Sequence, residues 1–263
     1  MAISLASLRR SGEARPPRLL VYGVAGVGKT QLAAQAPSPV FLQTEDGLGT
    51  QQADTFGMLR SYEEVQQALD VLYQEDHAFQ TVVLDSLDWL EPLIWARTCQ
   101  LNNWKTLEQP GFGKGYLAAL DVWRGFLDGM TLLRDARGMG VILIAHAEIK
   151  RFDSPETEPY DRYQPKLHAR AAALVQEQVD AVLFANYRVS TLKSDAGFGK
   201  KVVRGVSGGD RRLHTIERPA FLAKNRFGLE ESIALDWPTL AAGIPFYAGQ
   251  AAAAATSTTD DRS

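Results

Sequence analysis

Eight consecutive residues, Gly23-Val24-Ala25-Gly26-Val27-Gly28-Lys29-Thr30, have the spacing G-x-x-x-x-G-K-[ST] of a Walker A phosphate loop. Each residue type has a task in that spacing. Small, flexible residues let backbone N–H groups turn inward around phosphate oxygens, which predicts a cradle of Gly23, Ala25, Gly26, Val27 and Gly28. A helix opening at Gln31, directly after Lys29 and Thr30, adds its partial positive charge at the same spot. Lys29 then reaches the β- and γ-phosphates, and the Thr30 hydroxyl ligates Mg²⁺. The chemistry expected is binding of Mg²⁺–ATP.

Other residues are placed to complete such a site. Asp85 ends the apolar run Thr81-Val82-Val83-Leu84, as a Walker B aspartate does, and is expected to hold the metal together with Thr30. Glu45 follows a second apolar run, Val40-Phe41-Leu42-Gln43-Thr44, where a carboxylate can orient water for in-line attack. Asp46 is the competing acid. His146 follows the run Gly140-Val141-Ile142-Leu143-Ile144-Ala145 and is expected to sense the γ-phosphate; the alternative is a satisfied structural histidine. Lys224 and Arg226 stand one residue apart, so an extended backbone points both the same way, toward one phosphate group. The alternative for them is a solvated strand end. The stretch from Glu148 to His168 interleaves Lys150, Arg151, Arg162 and Lys166 with Phe152, Tyr160 and Tyr163, a mixture suited to single-stranded nucleic acid. Acidic residues in the same stretch bring its net charge near zero. A second candidate is the loop from Asn102 to Gly115 with Tyr116 beside it. Either loop alternatively serves as a lid over the nucleotide.

Alternating strand and helix signals must position these groups. Strands are predicted at 18–22, 40–44, 81–85, 140–145 and 181–185, with helices opening at 31 and over 62–74, 117–137 and 169–180. Ser61 reads as the N-cap of the 62–74 helix, with Glu64 three residues on. The pattern implies a mainly parallel central sheet flanked by helices. After residue 186 the character changes to polar–apolar alternation, predicting C-terminal antiparallel ribbons at 187–194, 200–206 and 211–217 and a strand at 220–224.

Composition sets the outer bounds. A chain of 263 residues with 45% apolar and 22% charged residues is that of an ordinary globular protein. The net charge of −3 provides no global basic field, so contact with nucleic acid must come from local patches. One cysteine, Cys99, excludes an internal disulfide and fits a reducing cytoplasm. No apolar run reaches membrane-spanning length, so no membrane partner is expected. The opening residues lack the charged-then-apolar order of a secretion signal. The divisions read as a short arm over 1–17, a core over 18–248 and a disordered Ala/Ser/Thr-rich tail over 249–263.

Together these pieces resemble the RecA-like class of phosphate-loop ATPases. The likeness is carried by Glu45-Asp46-Gly47-Leu48, Asp85-Ser86-Leu87-Asp88-Trp89-Leu90, Ile144-Ala145-His146 and Ala223-Lys224-Asn225-Arg226-Phe227-Gly228-Leu229. It extends to a phage-encoded family of small RecA-like ATP-binding proteins, some of them single-strand annealing proteins. The resemblance implies a sheet in which the His146 strand lies between the Walker A and Walker B strands. It also implies Glu45 as catalytic glutamate and Lys224 and Arg226 acting in a neighbour's site, within a ring or filament holding ATP between subunits. Implied partners are single-stranded DNA, further copies of the chain and a single-strand-binding protein. His146 departs from the glutamine of RecA, and RecA's own terminal domains are absent. Self-association would then fall to the arm, for example Leu5 and Leu8. Two other classes fit the same residues: a nucleotide-switched module that contacts a protein and not DNA, and a small-molecule kinase. The lack of an Arg-rich lid weighs against the kinase.

Overall fold

The computed structural model describes residues 14–195 and 201–250 together with Gly12; for 189–195 and 201–208 it describes the backbone alone. The elements in chain order are β1 (Arg18–Gly23), α1 (Lys29–Ala34), β2 (Pro39–Gln43), β3 (Asp54–Met58), α2 (Tyr62–Gln74), β4 (Thr81–Asp85), α3 (Leu87–Asn102) and α4 (Lys114–Arg137). They continue with β5 (Gly140–Phe152), β6 (Tyr160–Pro165), α5 (Ala169–Gln178), β7 (Ala181–Asp195), β8 (Lys201–His214), β9 (Lys224–Asn225), β10 (Ser232–Ala234) and α6 (Trp237–Ala242).

The strand order is β10-β8-β7-β1-β5-β4-β2-β3. From β7 to β3 all neighbours are parallel, while β8 and β10 extend the other end antiparallel. This is the mainly parallel α/β arrangement expected, with β5, the His146 strand, between the Walker A strand β1 and the Walker B strand β4. Side chains alternate across a strand, and β1 shows the result. Leu20 and Tyr22 enter the core beneath α2, α3, α4 and α5, whereas Leu19 and Val21 enter the core beneath α1 and α6. A strand buried on both faces reads as an unbroken apolar run, and β4 and the first half of β5 fit that rule.

Helix α2 begins as its sequence requires. The Ser61 side chain accepts from the Glu64 N–H at 3.2 Å, and Glu64 Oε2 accepts from the Arg60 N–H at 2.5 Å. Ser61→Ala is expected to cost about 1 kcal/mol of stability, readable as a lower midpoint in chemical denaturation with unchanged slope.

Several boundaries differ from expectation. The 148–168 stretch is not a loop: β5 runs on to Phe152 and pairs antiparallel with β6 from Ala147↔Pro165 to Phe152↔Tyr160. Charged residues on its less exposed positions, Glu148, Lys150 and Arg162, beside an exposed Ile149, disguised the alternation. The 181–185 and 187–194 segments form one strand, β7, and the 201–206 and 211–214 segments form one strand, β8. The irregularity between Tyr187 and Val189 is absorbed as a register shift rather than a turn. Of the expected 220–224 strand only Lys224 lies in a strand, β9, which pairs with β7, while Phe221 forms isolated bridges to Tyr163 and Arg218. Helix α4 starts at Lys114, taking the end of the 102–115 loop. The residues 1–11 of the arm, with Leu5 and Leu8, and residues 251–263 of the tail lie outside the described residues. Among the described residues no helix is long and apolar enough to cross a membrane.

Candidate nucleotide site

The chain leaves β1 at Gly23 and turns through Val24–Gly28 into α1. Gly28 is the N-cap of α1 with φ 105°, a left-handed conformation open to glycine. A Cβ on Gly23 would stand 2.1 Å from the Ala185 carbonyl oxygen of β7, so the first glycine allows strand and loop to pack. Lys29 is buried at 6% exposure, and its Nζ donates to the carbonyls of Gly23 (3.2 Å) and Val24 (3.1 Å). Burial pushes its pKa below the ordinary lysine value, while the charges of Asp85, Glu45 and Asp88 oppose that fall.

The carboxyl ends of β2 and β4, the start of α1 and the middle of β5, where His146 stands inside the strand rather than after it, deliver the remaining groups. Thr30 Oγ1 donates to Asp85 Oδ2 at 2.7 Å, so the expected metal pair is in contact. Asp85 is 1% exposed, and its Oδ1 lacks a hydrogen-bond partner among the described residues. Burial pushes its carboxyl up, opposed by the Thr30 hydroxyl and the Lys29 charge. A buried carboxylate oxygen without a donor, beside a hydroxyl, fits a hard divalent cation such as Mg²⁺. Glu45 is half-buried, and its Oε1 lies 3.9 Å from His146 Nδ1. Burial raises the Glu45 pKa, with His146 pulling it back. Asp46 beside it is exposed.

His146 is held from behind. Asp88, in the first turn of α3, accepts from the His146 backbone N–H at 3.0 Å and lies 3.0 Å from Nδ1 through Oδ2. That contact raises the His146 pKa above its ordinary value, against a fall from burial. Burial alone would push Asp88 up, but the bonds from His146 leave it below its ordinary value. The sign of the pH dependence follows. A histidine whose folded pKa is raised contributes stability that is complete below its unfolded value of about 6.5 and lost as pH rises through the folded value. Asp88→Asn is therefore expected to lower the His146 titration midpoint, followed by NMR of the imidazole. It should cost about 1–2 kcal/mol near pH 6, and less near pH 9 as the histidine share of the loss fades.

Lys29, Thr30, Glu45, Asp85 and His146 line one cavity of about 390 Å³ with Gly26, Gly28, Gln31, Asp46, Gly47, Gln51 and Arg211. Arg211 and Tyr187 escaped sequence reasoning. They face each other across β7 and β8. Arg211 Nη1 donates to Gln31 Oε1 (3.1 Å) and lies 3.4 Å from the Val27 carbonyl, while Tyr187 Oη donates to the Gly26 carbonyl (3.1 Å). Both thus brace the phosphate loop from the antiparallel end of the sheet. Spacing carried no signal for them, because strand register alone brings them together. Asp88 did leave a signal, an acidic residue in the helix turn directly after the Walker B strand.

The other expected residues lie elsewhere. Lys224 pairs beside Val182 at the amino end of β7, whereas the phosphate loop lies at the Ala185 end. Its Nζ donates to the carbonyls of Gln176 (2.6 Å) and Val179 (2.7 Å) at the end of α5. Arg226 lies 3.6 Å from Asp180 and is half exposed. Neither enters this chain's own cavity. On the β5–β6 hairpin, Lys150 meets Glu148 at 2.6 Å and Arg151 meets Asp153 at 3.8 Å. Arg162 pairs with Glu217 at 2.8 Å and stacks over Phe152, which itself contacts Tyr160. Tyr163 is stacked on Phe184 against the core, and Lys166 is exposed. Lys150 and Lys166 border a groove of about 430 Å³ with Asp88, Trp95, Tyr116 and His168, the last two rings stacked at 4.3 Å. This groove brings residues of the 148–168 stretch beside Tyr116, and Glu91 and Glu148 line it as well.

A strand, phosphate loop and helix facing a Walker B aspartate across a parallel sheet define a P-loop NTPase. Comparison with known families agrees: residues 15–227 match a family described as AAA domain, and the chain belongs to that family. Among solved structures, the chain is similar to the crystal structure of the RadB recombinase, at 18% identity and a TM-score of 0.42 over 81% of this chain and 87% of that one. No curated protein matches the chain.

Proposed function

We propose that the chain is an ATP-hydrolysing recombination protein of the phage-encoded RecA-like kind, coupling Mg²⁺–ATP to single-stranded DNA. The observation that supports it is the contiguous run Glu45–His146–Asp88. Glu45 and His146 line the nucleotide cavity, and Asp88 lines the groove of Lys150, Lys166 and stacked rings. A change at the γ-phosphate reaches that groove through one histidine. In this reading Lys29 binds phosphate oxygens, Glu45 orients the attacking water, and His146 reports loss of the γ-phosphate. Thr30 and Asp85 hold the magnesium, which when bound neutralises phosphate charge.

The decisive experiment is ATP turnover with and without single-stranded DNA at low and moderate salt. Stimulation that fades with salt supports the proposal. Turnover indifferent to DNA, with no DNA retained at low salt, overturns it in favour of a nucleotide-switched module that contacts a protein. The close matching of hairpin cations by Glu148, Asp153 and Glu217 is what supports that second reading.

We propose further that Lys224 and Arg226 act on a neighbouring copy, in a ring or filament with ATP at the interface. Their place at the sheet end opposite the cavity suits a head-to-tail contact. Arg226→Ala and Glu45→Ala are each expected to lose turnover, and an equimolar mixture to regain part of it, because some interfaces then carry both groups. A mixture without recovery counts against the role in trans.

A further inference from the structure

A second cavity, of about 610 Å³, lies on the opposite face of the β7–β8 ribbon from the phosphate loop. Its floor is a run of rings. Phe184 is stacked on Tyr163 at 5.1 Å and on Phe221 at 5.0 Å, and Phe221 meets His214 at 4.6 Å. Phe184 is buried, whereas Tyr163, Phe221 and His214 keep part of their surface open to the cavity. Burial holds the His214 pKa below its ordinary value, so this ring contributes as a neutral aromatic. The rim carries Arg188 and Arg212, which share one carboxylate, Asp210, at 4.0 and 3.2 Å. Two cations on one acid leave a positive charge beside an open aromatic floor.

We infer that this cavity is a binding site for a nucleobase of single-stranded DNA, with Phe221, Tyr163 and His214 stacking the base and Arg188 and Arg212 holding its phosphates. It rests on the DNA-binding reading proposed above and adds a contact surface separate from the groove at Lys150 and Lys166. Aromatic faces accept any base, and arginines beside them match the flanking backbone charge. The place in the fold gives the site access to the nucleotide state. Neighbouring residues of β8 alternate sides: Arg211 contacts the phosphate loop and Arg212 borders this cavity. Tyr187 also borders it while its hydroxyl donates to the Gly26 carbonyl.

The test uses the full chain with Mg²⁺–ATP and a fluorescein-labelled oligothymidylate, read by anisotropy across a salt series. Arg188→Ala with Arg212→Ala is expected to weaken binding roughly tenfold and to flatten the salt slope by about 1.4, the share of two phosphate contacts on a single strand. Phe221→Ala is expected to weaken binding roughly tenfold with the slope unchanged, the signature of lost stacking. If Phe221→Ala fails to fold, the exposed Arg188→Ala alone decides through its slope. Photocross-linking of an oligonucleotide carrying 5-iododeoxyuridine should yield adducts at Phe221, Tyr163 or His214. Wild-type binding with unaltered variants, or adducts confined to the Lys150–Lys166 groove, overturns this site and leaves the DNA reading standing. A wild-type chain that binds no oligonucleotide overturns both, and adducts of these rings with a peptide library alone assign the cavity to a protein partner.

Discussion

Lys29→Ala is expected to remove nucleotide binding and turnover while leaving a folded protein. The lysine is held by carbonyls of its own loop, and burial lowers its pKa, so the fold carries a charge it would rather have in water. Truncation relieves that penalty and forfeits two hydrogen bonds, effects of opposite sign. Thermal unfolding should therefore shift little. Binding loses much more, because no other buried cation lines the cavity among the described residues. The loss of one preorganised electrostatic contact to a reacting phosphate is worth about a hundredfold or more in turnover. Calorimetric titration with ATP and phosphate-release assays read the two losses separately. A variant with wild-type turnover would refute the phosphate-loop assignment.

The sequence made the centre of the fold legible and its edges less so, for a physical reason. Strands β1, β2, β4 and the first half of β5 are buried on both faces, so burial writes itself into unbroken apolar runs. Where the apolar runs stop stand Asp85 at the end of β4, Glu45 just past β2 and His146 within β5, and the loop spacing places Lys29 and Thr30 at the start of α1. Helix α3 went unread because Pro92 sits inside it and normally signals a stop, and because its apolar residues form no clean stripe. Strand β3 is an exposed edge, and its residues give no apolar run. The β5–β6 hairpin hid behind charges such as Lys150 and Arg162, two cations opposite each other in register that are each paired with a separate acid. Tyr187 and Arg211 meet only because β7 and β8 pair as they do. Contacts made by register between distant segments leave no local pattern, and the bracing of the phosphate loop is built from such contacts.

Glu45→Gln separates binding from chemistry. Both acids of the Glu45-Asp46 pair were candidates in the sequence, and the geometry distinguishes them: Glu45 is half-buried and lines the cavity 3.9 Å from His146, whereas Asp46 is exposed on the rim. A carboxylate that orients or deprotonates water contributes about 10²–10⁴-fold. The amide keeps the shape and removes the basicity, so Glu45→Gln should hold ATP as the wild type does and turn it over slower by that factor. Asp46→Asn should change turnover by no more than severalfold. The amide also removes a negative charge facing His146, so the histidine midpoint should fall in Glu45→Gln. That fall links the two residues in solution independently of any turnover. Equal loss of ATP binding and of turnover in Glu45→Gln would instead mark the residue as part of the binding shell, and the water would need another base.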